Sequence, residues 1–321
     1  MAEDPSPSHQ YIREIQAPHD FLPVADLIEL CFAATMDEDG RDFLSSLRKA
    51  GRAAQSMEWI PGVREQVSYP LQGFVWEQEN RIIGNLSLIP QLFQHHWYYL
   101  IANVAVHPDF RQKGIGRALT EHALQHIRAL GTGQAWLQVR DDNPVAYNLY
   151  KKIGFEEHCR RDTWLGRSPS SKEADPHNAF DITPRRSSDW PQQKNWLEST
   201  YPEEIAWNFR FDGSRFEPGF WKTIYRFFSG VVHHHWALRR QNILKGVATW
   251  EPTSHHADFL WLGVDQDGQD ENISHLLRYF FSDFFSFRPV MVNYPAGQAH
   301  KAFLENGFHL QHSLIWMKYA L

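Results

Sequence analysis

The chain has 321 residues, 42% of them hydrophobic, so it can bury a sizeable core, and its length favours two domains over one. With 32 Lys and Arg against 38 Asp and Glu the formal net charge is −6, which argues against a general affinity for nucleic acid or anionic membrane and makes any anion site local. Cys31 and Cys159 are too few for a disulfide framework and lack metal-ligand spacing, and there is neither a basic-then-apolar leader nor an uncharged run of membrane-spanning length; the expectation is a cytoplasmic chain with no membrane span and no metal.

In chain order, Tyr11 to Ile15 predicts a short strand and Phe21 to Phe32 a helix, with apolar spacing at Leu22, Ala25, Leu27, Ile28 and Leu30. A further helix is expected from Arg41 to Gln55. Gly73 to Gln78 and Arg81 to Ile89, joined by Glu79-Asn80, read as a hairpin, and Tyr98 to Val106 as another strand. Ile115, Leu119, Ala123, Ile127 and Leu130 then form a helical stripe that stops before Gly131. Ala135 to Val139 is a strand, Pro144 to Lys152 a short helix and Phe155 to Leu165 a strand. The stretch GRSPSSKEADPHN, rich in Ser, Pro and charge, marks a linker over 166–178 between domains 1–165 and 179–321. Beyond it, Phe180 to Thr183, an aromatic helical stretch from Trp190 to Phe228, and strands at Trp236 to Arg239, Leu244 to Trp250 and Phe259 to Val264 repeat the earlier order.

Sliding the chain against itself supports the repetition. At an offset of 153, Ile153-Gly154-Phe155 falls on Asn306-Gly307-Phe308, Ala146 on Ala299 and Val139 on Val292. At an offset of 158, Val106 falls on Val264, Ile115 on Ile273 and Leu119 on Leu277. The chain reads as two copies of one α/β unit.

Between the strand ending at Val106 and the helix beginning near Ile115 lies Arg111-Gln112-Lys113-Gly114-Ile115-Gly116, followed by Arg117. A strand, a basic glycine turn and a helix suit phosphate, because the first helical amides are unpaired and the helix dipole is positive at that end. A P-loop fails: Gly116 is followed by Arg117-Ala118, and no glycine precedes it at the required spacing. A Rossmann fingerprint fails as well, since Leu119 stands where its third glycine belongs.

What remains is [QR]-x-x-G-x-[GA] after Val104-Ala105-Val106-His107-Pro108, and downstream N-x-x-A-x-x-L-Y-x-x-x-G-F, filled by Asn143, Ala146, Leu149, Tyr150, Gly154 and Phe155. These two motifs resemble the GCN5-related N-acetyltransferase (GNAT) family, loosely from Tyr11 to Leu165. The resemblance implies two tandem GNAT-like α/β (α+β) units, each a mixed, mostly antiparallel sheet flanked by helices. It also implies acetyl-CoA as co-substrate, held by backbone groups of Val104, Ala105 and Val106 along the pantetheine arm. The amides from Arg111 to Arg117, through Gln112, Lys113, Gly114, Ile115 and Gly116, would hold the pyrophosphate, with Asn143 as a further CoA contact. Tyr150 takes the family's general-acid position. The partners implied are acetyl-CoA and an amine-bearing acceptor.

Chemistry refines these roles. A tyrosine near pKa ~10 protonating a thiolate near ~8.5 runs roughly 2 kcal/mol uphill, so Tyr150 reads as a hydrogen-bond donor to developing thiolate. Many relatives carry a carboxylate on the strand before the turn, whereas Tyr98-Tyr99-Leu100-Ile101-Ala102-Asn103-Val104 has none. Base candidates are Glu77, His95, His96 and Tyr98. Deprotonating a lysine-like amine near ~10.4 at pH 7 costs roughly 4 to 5 kcal/mol, which favours an acceptor amine of lower pKa.

In the second copy Asp265, Asp267, Asp270 and Glu271 crowd the aligned turn and would repel a pyrophosphate, while Tyr150 aligns with Phe303 and Asn143 with Ala296. The second unit is expected to keep the fold without a CoA site, as the mycothiol synthase type of tandem acetyltransferase also pairs a competent with a degenerate unit. Its aromatic run, including Trp207, Phe211, Phe216, Phe220, Trp221 and Tyr225, reads as core or as a wall for the acceptor. His233-His234-His235, His255-His256 and the His122/His126 pair lack metal-site spacing. The leading expectation is acetyl transfer to a primary amine; the alternative is a noncatalytic acyl-CoA-binding sensor.

Overall fold

The computed structural model describes residues 9–57, 71–131, 133–167, 180–209, 211, 213–219, 233–254, 256–283 and 288–321. Most of the linker expected over 166–178 lies outside them, as do Phe220, Trp221, Tyr225 and His255. The chain divides into two compact units: Met1–His158 with Trp316–Leu321, and Cys159–Ile315.

Unit 1 holds β1 (Ile12–Glu14), α1 (Phe21–Phe32), α2 (Glu38–Met57), β2 (Gly73–Gln78), β3 (Arg81–Phe93), β4 (His96–Val106), α3 (Ile115–Ala129), β5 (Gln134–Arg140) and α4 (Pro144–Ile153). The sheet order is β1-β2-β3-β4-β5, antiparallel except for the parallel pair β4–β5. Two differences from the sequence reading have local causes. α2 starts three residues early because the Asp37 carboxylate accepts the Gly40 amide at 2.8 Å and opens the helix. β3 runs past Ile89 because Pro90 is tolerated opposite Tyr99, and Gln94-His95, both at positive φ, turn a long hairpin.

One face of this sheet takes α1, whose Phe21, Val24, Ala25 and Ile28 bury against Val75 and Ala105, and the other takes α3. The i, i+4 stripe Ile115, Leu119, Ala123 and Ile127 is buried, and the seat is a glycine: a Cβ on Gly84 of β3 would lie 2.9 Å from Ile115 and 3.1 Å from Leu119.

Unit 2 begins within β6 (Glu156–Gly166) and continues through β7 (Phe180–Pro184), α5 (Trp190–Thr200), α6 (Glu203–Ala206), β8 (His234–Arg240), β9 (Ile243–Glu251), β10 (Asp258–Val264), α7 (Gln269–Asp283), β11 (Val290–Pro295), α8 (His300–Glu305) and β12 (Phe308–Tyr319), whose residues from Trp316 on count with unit 1. Its order β6-β11-β10-β9-β8-β7 is antiparallel except at β10–β11. The repetition extends to details. The turns Glu79-Asn80 and Gln241-Asn242 both hold two residues at positive φ, and each is preceded by a register shift, at Trp76/Glu77 and at Leu238/Arg239. Gly246 copies Gly84: each pairs with the last valine of the next strand, and each sits beneath the helix that follows it.

Candidate active site

β4 makes two departures from a regular strand. Its register against β3 passes from Asn85↔Ala105 to Ser87↔Ala102, so Asn103 and Val104 together face the single residue Leu86, as a bulge with Asn103 at φ 50. Its parallel ladder with β5 ends at Ile101↔Leu137, so the two strands run on unpaired. The backbone of Ala102 to Val106 therefore has no β5 partner on the side from which that strand has parted, and of it Val106 O is taken by Cys31 Sγ at 3.3 Å and by Arg111.

That gap leads to the glycine turn. Gly114 sits at φ 82 as the N-cap of α3, a left-handed conformation that glycine adopts without strain, and a Cβ there would meet nothing within 4 Å. The first helical bond runs from Ala118 N to Gly114 O at 2.9 Å, so the amides of Ile115, Gly116 and Arg117 precede the ladder and point outward with the positive end of the dipole. Gln112, also at positive φ, and Lys113 complete an exposed basic rim. Arg111 Nε donates to Val106 O at 3.2 Å, Lys113 Nζ lies 4.7 Å from the Phe110 ring, and Arg117 pairs with Glu121 at 2.8 Å. This open cradle of unpaired amides fits a pyrophosphate, so the residues present suit acetyl-CoA.

α4 joins the same place, because a Cβ on Gly116 would lie 3.7 Å from both Leu149 of α4 and Val106 of β4. Asn143 caps α4 by accepting the Ala146 amide at 3.1 Å, and Gly154, at φ 110, ends the helix by donating to Tyr150 O. Tyr150, one residue beyond Leu149, is buried edge-to-face on Phe155, and burial pushes its phenol well above the usual range. It stays protonated as a donor at neutral pH.

The base candidates are placed elsewhere or engaged. Glu77 is ion-paired with Arg13, which also holds Asp20. His95 and His96 sit at the hairpin end of β4, about 30 Å along the strand from Val106 at ~3.3 Å per residue. Tyr98 is buried in the sheet. Sequence reasoning missed Asn85, Ser87 and Asn103, which hold the bulge: Asn85 Nδ2 donates to Asn103 O at 2.9 Å, and Asn103 Nδ2 to Ser87 Oγ at 3.2 Å. The signal was present, since asparagine is depleted inside strands and two stand here.

Unit 2 has replaced each feature. β10 pairs with β9 in unbroken register from Phe259 to Val264, without a bulge. The turn is closed on itself: Asp265 takes Lys245 Nζ at 2.8 Å and the Asp267 amide at 3.2 Å, and Asn272 Nδ2 donates to Asp267 O at 3.0 Å. The Lys245 ammonium holds the Asp265 carboxyl below the usual range, so the turn is anionic at neutral pH. β10 and β11 also part after Phe259↔Met291, but side chains bridge them there: Tyr201 packs on Trp261 of β10 and under Arg161, whose Nε donates to Asn293 Oδ1 of β11 at 2.7 Å. Trp207, Phe211 and Phe216 are core. His235 bonds Thr249 and His233 lies beside Glu251. Among the described residues no group of three or more His, Cys, Asp or Glu is placed to hold a metal ion, and no helix is long and apolar enough to cross a membrane.

Residues 35–155 match the model of the acetyltransferase (GNAT) family. This stretch is a GNAT-family segment. The ribosomal protein bS18-alanine N-acetyltransferase of Escherichia coli K12 is 36% identical over 72 residues, covering 22% of this chain and 49% of that protein. The chain thus spans about half the length of the curated relative it matches. The mycothiol acetyltransferase of Saccharomonospora viridis is 45% identical over 112 residues, 34% of this chain and 35% of that one. Over both units the fold matches a GCN5-related N-acetyltransferase of Sphaerobacter thermophilus, with TM-score 0.55 and 14% identity over 96% of this chain and 95% of that one. The GNAT fold therefore extends beyond the GNAT-matched segment into unit 2.

Proposed function

We propose that unit 1 is an acetyl-CoA-dependent N-acetyltransferase acting on a primary amine, with a single cofactor site per chain. The observation that carries this is the unpaired stretch of β4 beyond Ile101↔Leu137, which leads into a turn of open amides. The pyrophosphate rests on the amides from Gln112 to Arg117, the Arg111 amide of the expected range being taken by Pro108 O at 3.3 Å, and the pantetheine arm pairs with the backbone of Val104 to Val106 that β5 leaves unpaired. Charge-assisted hydrogen bonds contribute roughly 1.5 to 3 kcal/mol each, so converging amides anchor the cofactor without depending on any one side chain.

The neutral amine attacks the thioester carbon, the C–S bond breaks, the amine proton passes to solvent, and Tyr150 donates a hydrogen bond to the leaving thiolate. With no carboxylate on β4 and Glu77 held by Arg13, no base is evident among the described residues, which favours an amine already partly neutral at pH 7, near pKa ~8, such as an α-amino group. The relative that acetylates an alanine of bS18 is consistent with that class. Unit 2 keeps the fold as support.

The missing carboxylate also favours a second reading, a noncatalytic acyl-CoA sensor. Release of CoA thiol from acetyl-CoA across a panel of α-amino and side-chain amines separates the two. Amine-dependent release supports the transferase, and saturable binding without release to any amine supports the sensor.

A further inference from the structure

Asn85 is fully buried on β3, next to Gly84. The repeat supplies an internal control: Gly84 pairs with Val106 and Gly246 with Val264, so the position corresponding to Asn85 is Val247, equally buried, in the unit without a bulge. Packing alone is satisfied by valine. Asn85 moreover leaves its own Oδ1 buried without a partner while Nδ2 donates to Asn103 O. A side chain that carries an unpaired acceptor into a core where an apolar residue suffices is held there by what its donor does.

Its donor fixes one peptide. Asn103 and Val104 share Leu86 across the bulge and have no one-to-one register partner on β3, and β5 has already parted, so the Asn103–Val104 peptide lies outside the regular ladder on either side. In a planar trans peptide the C=O and the following N–H point opposite ways. With Asn103 O drawn to Asn85, the Val104 N–H is turned away from it, along the stretch where the acyl arm is placed. We infer that Asn85 is a positioning residue for acyl transfer: by holding Asn103 O it aims the Val104 N–H at the thioester carbonyl oxygen, which takes up negative charge as the amine adds. Ser87 assists by holding the Asn103 side chain at its left-handed φ.

This rests on the acetyl-CoA reading above, and its test needs no acceptor. Infrared difference spectra of carbonyl-labelled acetyl-CoA bound to the full chain report polarisation of the thioester directly. The carbonyl band is expected to move to lower frequency on binding to wild type. In Asn85→Val, the residue the sister unit carries, it should return toward its position in free acetyl-CoA while the dissociation constant stays near wild type. Adding Asn103→Gly, which takes positive φ freely, should recover part of the displacement. An unshifted band in wild type, or an Asn85→Val band identical to wild type, overturns the inference. So does a variant that loses acetyl-CoA affinity in step with the band, since that marks a merely structural role. Absence of acetyl-CoA binding to wild type overturns the parent reading, and this one with it.

Discussion

The proposed mechanism places its side-chain chemistry in one hydroxyl, that of Tyr150. Burial raises its pKa, so it does not ionise across the physiological range, and in the proposed reaction it would serve the leaving thiolate as a donor without giving up its proton. Tyr150→Phe should lower kcat by about 10²-fold, the usual worth of one donor at a developing anion, with acetyl-CoA affinity largely kept; equal turnover in steady-state kinetics removes the hydroxyl from the mechanism. The pH profile follows from the same shift. The rate should rise with pH as the acceptor amine loses its proton and show no falling limb from Tyr150 below about pH 10. The motifs that hold Tyr150 and the glycine turn were readable because they are local in sequence. The Asn85 contact was not, because it reaches a peptide eighteen residues on that only strand pairing brings beside it.

At the scale of elements, α3 is held to the sheet by the absence of a side chain. Gly84→Ala places a methyl 2.9 to 3.1 Å from Ile115, Trp76 and Leu119, and should destabilise the protein by about 1 to 3 kcal/mol. Gly116→Ala, whose nearest neighbours are 3.7 Å away, should leave stability nearly unchanged. Denaturant melts of the two variants check the contrast, and equal midpoints would contradict the packing account. Hydrophobic period found most elements to within a few residues, since alternation and i, i+4 stripes are properties of the chain itself. The β4 bulge and the parting of β4 from β5 left no such trace. Both are differences in pairing between strands, and the proposed cofactor path consists of them.

The two units of the molecule share turns, register shifts and a glycine seat, yet differ wherever the cofactor would lie. Unit 2 fills its gap with Arg161 and Tyr201, and burial raises Tyr201 and pushes Tyr294 up to about 12. Below pH ~10 these phenols are protonated in folded and unfolded chain alike; above it the unfolded chain loses protons that the folded chain keeps. Stability should therefore fall as pH rises from about 10 to 12, by roughly 2 to 3 kcal/mol for Tyr294, visible as falling melting midpoints in that window. The acidic turn of unit 2 was legible from its side chains, but the bridge across its strands was not, because Arg161, Tyr201 and Asn293 are far apart in sequence. The most direct test of the whole account is calorimetric titration of the full chain with acetyl-CoA. One equivalent per chain is expected; two equivalents, or no binding, would contradict it.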